Sequence, residues 1–152
     1  MAKCPKTKKT LRSNADDLWS AAVKQDWAHK CSMCGNTEAL NSHHLIPRQH
    51  TTYRYDLKNG CCLCVHCHQF NADRSPHQHA AGWLQWLHAH HPTFARWYCD
   101  TTRNLKKQPP VTKDIDFYCD VIWRLKDYVE EDVYLKIVGP RFADYLEEVN
   151  NE

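Results

Sequence analysis

Residues 31–70, CSMCGNTEALNSHHLIPRQHTTYRYDLKNGCCLCVHCHQF, carry the strongest structural instruction in the chain. Two Cys-x-x-Cys pairs, Cys31/Cys34 and Cys64/Cys67, stand near its ends. Such a pair holds two thiolates on one tight turn, and two pairs supply the four tetrahedral sulfur ligands of a closed structural zinc site. Cys61 and Cys64 make a second formal pair, but Cys64 with Cys67 is the preferred reading. The cysteines leave His43, His44, Asn59 and His68 over as candidates for chemistry.

Leu40 to Ile46 reads as a short strand closed by Pro47, and Cys61 to Leu63 as a second. Asn59-Gly60 is a turn signal between them, after a polar loop that holds Arg48, Arg54 and Lys58 at or beside its ends. Gly35, just past Cys34, suits a left-handed residue tightening the knuckle. The pattern predicts a helix over about Val65–Asp73. His68 follows Cys67 by one helical position, a rotation of about 100°. Cys67 can therefore face the zinc while His68 faces the hairpin, with His66 exposed in the knuckle.

Outside this segment the chain reads as helical. Residues 1–13 form a basic arm with Lys3, Lys6, Lys8, Lys9 and Arg12. Ser13 or Asn14 can cap an amphipathic helix over 14–28 that buries Leu18, Trp19, Ala22, Val23 and Trp27. Ala80, Trp83, Leu84, Trp86 and Leu87 make a buried stripe that Pro92 interrupts, and a further turn or helix follows through Phe94, Trp97 and Tyr98. Gln108-Pro109-Pro110 breaks the chain, Thr112 can cap a long helix to about Glu131, and Gly139-Pro140 precedes a last helix around Phe142, Leu146 and Val149. The histidines at 77, 79, 88, 90 and 91 read first as helix surface or caps, although His77 or His79 can complete a metal shell.

At 152 residues the chain is expected to be one domain. Its nine cysteines are an odd number, and the first ten residues lack an apolar signal core, which points to a reducing, cytoplasmic setting and to metal ligation rather than disulfides. Cys4, Cys99 and Cys119 have no partner at ligand spacing and read as small apolar residues. No apolar run reaches membrane-spanning length. The net charge of +2 hides an asymmetry: residues 1–111 hold fifteen Lys/Arg against seven acids, whereas 112–152 hold five against eleven. A basic working half suits a polyanion, and the acidic helices suit oligomerisation or docking on a protein.

The ordered set Cys31, Cys34, HHLIP (43–47), NGCCLC (59–64) and CVHCH (64–68) resembles the HNH nucleases, in the phage and bacterial branch whose zinc knuckles brace a hairpin and helix. His44 precedes Asn59 by fifteen positions and Asn59 precedes His68 by nine, which fits that family's spacing. The resemblance spans residues 14–92; 93–152 form a helical extension, acidic from about 112. It implies an α+β, mainly helical fold: a ββα-metal core braced by a Cys4 zinc site, with added N- and C-terminal helices. It also implies a DNA endonuclease that nicks or cuts both strands, leaving a 5′-phosphate and 3′-hydroxyl.

On that resemblance His44 is the general base, with His43 as the alternative, and His43 and His68 hold a catalytic divalent ion. The ion would be Mg²⁺ or Mn²⁺, with Ni²⁺ or Zn²⁺ as alternatives. Asn59 either ligates the ion or clamps the loop. Neighbouring strand residues point to opposite faces, so His43 and His44 are expected to share a site only if the strand bends. Arg48, Arg54, Lys58 and Arg74 flank the site as candidate phosphate contacts. The competing reading is a non-enzymatic treble-clef zinc module that binds nucleic acid or protein; an RNA-directed nuclease is the third.

Overall fold

The computed structural model describes residues 4–105 and 111–151, so Lys3 and the Gln108-Pro109-Pro110 break lie outside the described residues. The fold is mostly helical, with one two-stranded antiparallel sheet. Helix α1 (Lys8–Asp26) leads into β1 (Leu40–His44), a short α2 (Thr51–Arg54), a 3₁₀ turn (Leu57–Asn59) and β2 (Gly60–Cys64). A π-helical turn (His66–Phe70) follows, then α3 (Ala80–His90), α4 (Pro92–Arg103), α5 (Ile115–Leu125), a 3₁₀ turn (Lys126–Tyr128), α6 (Glu131–Val138) and α7 (Pro140–Asn151). Among the described residues no helix is long and apolar enough to cross a membrane.

Helix α1 starts well before the expected position. Thr7, not Ser13 or Asn14, is its N-cap, accepting a hydrogen bond from the Thr10 N–H. The cause is an apolar stripe that begins at Leu11 and continues through Ala15, Leu18 and Ala22, every member of it buried. The second half of the expected basic arm, residues 8–13, is thus helical. Lys6 itself is docked, donating to Asn14 Oδ1 at 2.8 Å and to the Val138 carbonyl, with its ammonium over the Phe142 ring. Burial lowers its pKa, with Cys4 acting in the opposite direction.

Asn14 is buried inside α1 and donates to the Ile137 carbonyl at 2.7 Å. These bonds and the apolar cluster formed with Tyr118, Val121, Ile122, Val138 and Leu146 join α1 to α5–α7. The C-terminal helices are therefore half of a shared core with α1. Their predicted long first helix is shorter: Asp114, not Thr112, caps α5, which ends at Leu125; a 3₁₀ turn and the extended, buried Val129 follow, and α6, not foreseen from the sequence, begins at Glu131.

A second core surrounds the hairpin, where Leu63, Leu87, Trp83 and Trp86 pack with four cysteines. The hairpin register pairs His43 with Cys61 and His44 with Gly60. Strand β1 stops at His44, two residues short of expectation, because the Asn59 side chain takes both polar groups of Ile46. The helix expected over 65–73 is shorter, ending at Phe70, where the Asn71 N–H closes onto the His66 carbonyl.

Strand β2 lies directly on α1, and Gly60 makes the approach possible. A Cβ there would stand 2.2 Å from Val23 Cγ2 and 3.0 Å from the Trp19 ring. Trp27 Nε1 donates to the Gly60 carbonyl at 3.1 Å, which fixes the strand in place. Valine is stiff at χ1 and cannot swing clear. Gly60→Ala is expected to cost about 1–3 kcal/mol, read as a lowered melting temperature; an unchanged melting temperature would show that α1 and β2 are not in tight contact.

Candidate functional site

Four sulfurs gather at the base of the hairpin. Cys31 and Cys34 lie in the knuckle before β1, Cys64 ends β2, and Cys67 sits in the π-helical turn. Their Sγ atoms all lie within 4.8 Å of one another, and Cys34 Sγ is 3.7 Å from Cys64 Sγ. Sulfurs bound tetrahedrally at about 2.3 Å stand roughly 3.8 Å apart, so the cluster fits a structural zinc ion. Gly35 adopts a φ of 77°, as the knuckle requires.

Burial acts to raise the Cys31 thiol, but backbone hydrogen bonds at Cys64, Cys34 and Met33, with the Cys34 side chain, outweigh it and bring the pKa down to about 7. Cys61 belongs elsewhere. It is fully buried, its sulfur lies 3.1 Å from Ser32 Oγ, and burial pushes its thiol up to about 12.

A second cluster lies beyond the four cysteines. His43 Nδ1 is 3.1 Å from His68 Nε2, and His77 Nε2 is also 3.1 Å from His68 Nε2. Nitrogens bound to one ion at about 2.1 Å stand roughly 3.0–3.4 Å apart, so three lone pairs at these distances can meet on one cation. His68 Nδ1 is buried without a hydrogen-bond partner, which sets this ring apart from a packing histidine.

Desolvation is the main influence on the cluster. It pushes His43 down to about 3, with His68, His77 and His44 adding to the effect, and it lowers His68, helped by His77. Burial thus favours the neutral form of His43 and His68, the form that binds metal.

His77 reaches the cluster because the loop after Phe70 is tied down. Ser75, fully buried, donates from Oγ to the His68 carbonyl at 2.7 Å and accepts from the N–H groups of His77 and Gln78. Asn71 Oδ1 accepts from Asp73 and Arg74. His79, the other sequence candidate, is instead the cap of α3, accepting from the Gly82 N–H.

His44 projects to the other face of β1. Its ring stacks on Trp19 with centroids 3.7 Å apart, and its Nε2–H donates to the Arg54 carbonyl at 2.9 Å. That bond sets the tautomer and leaves the lone pair on Nδ1. Burial lowers its pKa to about 4 despite the opposing effect of the Arg54 carbonyl. His43, His44, His68 and His77 nevertheless line one cleft of about 670 Å³. No bend is needed, contrary to the expectation for a doublet in a strand. Strand β1 is an edge of a two-stranded sheet, and the cleft passes round that edge to meet both faces.

The remaining candidates divide. Asn59 is fully buried; its Oδ1 accepts from Ile46 N–H at 2.6 Å, and its Nδ2 donates to the carbonyls of Ile46 and Tyr53. It clamps the loop, with both amide atoms bonded to backbone and none exposed, which fits the clamp alternative rather than a metal ligand. Arg54 is also buried, in a paired contact with Asp16 at 2.9 and 2.7 Å, which removes it from the phosphate candidates. Arg48 is exposed and lines the cleft; Arg74 and Lys58 are exposed but line other surfaces. The sequence reading missed Trp19, Ser75 and Asp16 as supports of the site. Ser75-Pro76, a turn signal between two histidines, was the available sign for one of them.

Comparison with protein-family models, with curated proteins and with solved structures returns no match for this chain.

Cys34→Ser is expected to release zinc and lower the melting temperature markedly, whereas retained zinc with an unchanged melting curve would contradict the closed Cys4 site. His77→Ala is expected to keep that zinc but weaken Mn²⁺ binding by calorimetry about tenfold or more; equal Mn²⁺ affinity would remove His77 from the cluster. Asn59→Ala strands buried backbone groups and is expected to cost at least ~2 kcal/mol; lost activity at unchanged stability would instead indicate a direct chemical role.

Proposed function

We propose that this chain is a metal-dependent endonuclease of the HNH type, with a ββα-metal core, hydrolysing DNA phosphodiester bonds in the cytoplasm. The observation that carries this reading is the meeting, on one open cleft, of three imidazole nitrogens and a fourth imidazole anchored by a carbonyl. His43, His68 and His77 would hold one divalent cation, and the Cys4 zinc serves folding. When bound, such a cation supplies a Lewis acid that offsets charge on the phosphoryl oxygens and on the departing 3′ oxygen.

The chain's own groups perform the proton chemistry. His44, neutral because it is buried, takes a proton from water at Nδ1. The imidazolium so formed keeps its Nε2–H on the Arg54 carbonyl; the Asp16 carboxylate favours the new charge, against the stronger opposing effect of the Arg54 and Arg48 guanidiniums. The Trp19 stack holds the ring in one orientation, so its lone pair is not lost to rotation. Arg48, at the rim of the cleft, is placed to meet a phosphate. Attack of the activated water on phosphorus breaks the P–O3′ bond, leaving a 5′-phosphate and a 3′ oxygen that takes a proton from solvent to become the 3′-hydroxyl. The exposed acids of α5–α7 disfavour DNA on that side and suit a protein partner or a second copy.

Incubation with supercoiled plasmid and Mg²⁺ or Mn²⁺ tests the reading. The wild-type chain is expected to nick, and His44→Ala to be slower by about 10²–10⁴-fold with zinc content and melting temperature unchanged. Equal rates would remove His44 as base. Inactivity of the wild type across metals, DNA and RNA would leave a zinc-folded binding module.

A further inference from the structure

Trp27, Phe94 and Trp97 border a second cavity, of about 540 Å³, that the proposed reaction does not use. Its walls come from the end of α1, the turn carrying Lys58, and the α3–α4 junction at His91. The Trp27 ring meets His91 at 5.0 Å and 79°, and Phe94 at 5.6 Å and 81°, so perpendicular rings form a corner. Trp97 is braced from behind by Tyr53, edge to face at 6.2 Å. Trp27 already donates its indole N–H to the Gly60 carbonyl, so what it offers a ligand is apolar ring. The three aromatic rings are half-buried.

The charge pattern narrows the occupant. No Asp or Glu lines the cavity, and Lys58, exposed and without a salt bridge among the described residues, stands in its wall. An organic cation would suit the rings but is repelled by Lys58. An aliphatic side chain would leave the ammonium unused. A flat aromatic ring that carries a phosphate satisfies both, and base–aromatic stacking with a cationic backbone contact is how single strands are held. A base inside a duplex has both faces covered and cannot enter.

We infer that this pocket takes an unpaired nucleobase of a DNA strand, with the adjoining phosphate on Lys58. The inference rests on the proposed function for the identity of the polymer and adds a preference for substrates with a single-stranded segment. Trp97 and Tyr98 are neighbours on α4, and Tyr98 lines the reaction cleft, so one helix borders both sites.

Binding of a fluorescein-labelled oligothymidylate and of a blunt hairpin duplex, by zinc-loaded chain without added divalent ion, tests it apart from cleavage. The wild type is expected to favour the single strand and to show quenched tryptophan emission. Trp97→Ala is expected to lose about tenfold or more on the single strand, with the duplex little changed and Trp97→Phe restoring most of the loss. Lys58→Gln should lower the slope of log affinity against log salt by about one contact's share.

Single-strand affinity unchanged in Trp97→Ala, or an equal loss on both ligands, would overturn the inference. If Trp97→Ala loses zinc or its melting temperature, Phe94→Ala and Lys58→Gln decide on the same terms. A wild type that nicks plasmid without this selectivity contradicts the pocket alone. One that binds single strands through Trp97 but nicks nothing contradicts the nuclease reading alone.

Discussion

Four thiol sulfurs packed within 4.8 Å of one another are stable as thiolates only around a cation. Everything near the site hangs from that clamp. It joins the loop before β1 to the end of β2 and to the π-helical turn, so a hairpin too short to be stable alone becomes a rigid frame. With Cys67 as a ligand, His68 would be held one residue from a fixed point. With Cys64 as a ligand, the register that sets His43 opposite Cys61 could not slip.

The second constraint is that β1 has a free edge. A strand inside a wider sheet would send His43 and His44 into separate layers. Here α1 covers one face, where Trp19 and Ser20 meet His44 and Ser42. The π-helical turn and α3 cover the other, where His68 and Trp83 meet His43. The cleft crosses the edge between them, so one pleat supplies two kinds of histidine. One is desolvated beside other imidazoles and suited to a metal; the other is stacked, anchored by a carbonyl and suited to protons.

Much of this was legible in residues 31–70. The two Cys-x-x-Cys pairs, the hairpin and the one-step offset between Cys67 and His68 are local, and local spacing determines them. What the sequence concealed depends on distant chain. Arg54 looks like a phosphate contact until Asp16, far away on α1, pairs with it. Asn59 could have been a ligand until Ile46 and Tyr53 are seen to use its whole amide. His77 is an unremarkable loop histidine by pattern, and only the buried Ser75 hydroxyl brings it to His68. The start of α1 was missed because Ser13 and Asn14 mimic caps, whereas the apolar stripe from Leu11 carries the helix past them.

Cobalt(II) titration of the metal-free chain, followed by optical absorption, bears most directly on the idea that a sulfur-held ion frames a separate imidazole-held one. Two classes of site should fill in turn: one with intense thiolate charge-transfer and tetrahedral bands, and one with only weak bands of nitrogen and oxygen ligation. In a chain carrying His43→Ala the second class should vanish while the first is unchanged. A single class of site, or thiolate bands that shift with His43→Ala, would contradict two independent metal positions and with them the proposed hydrolytic role of the cleft.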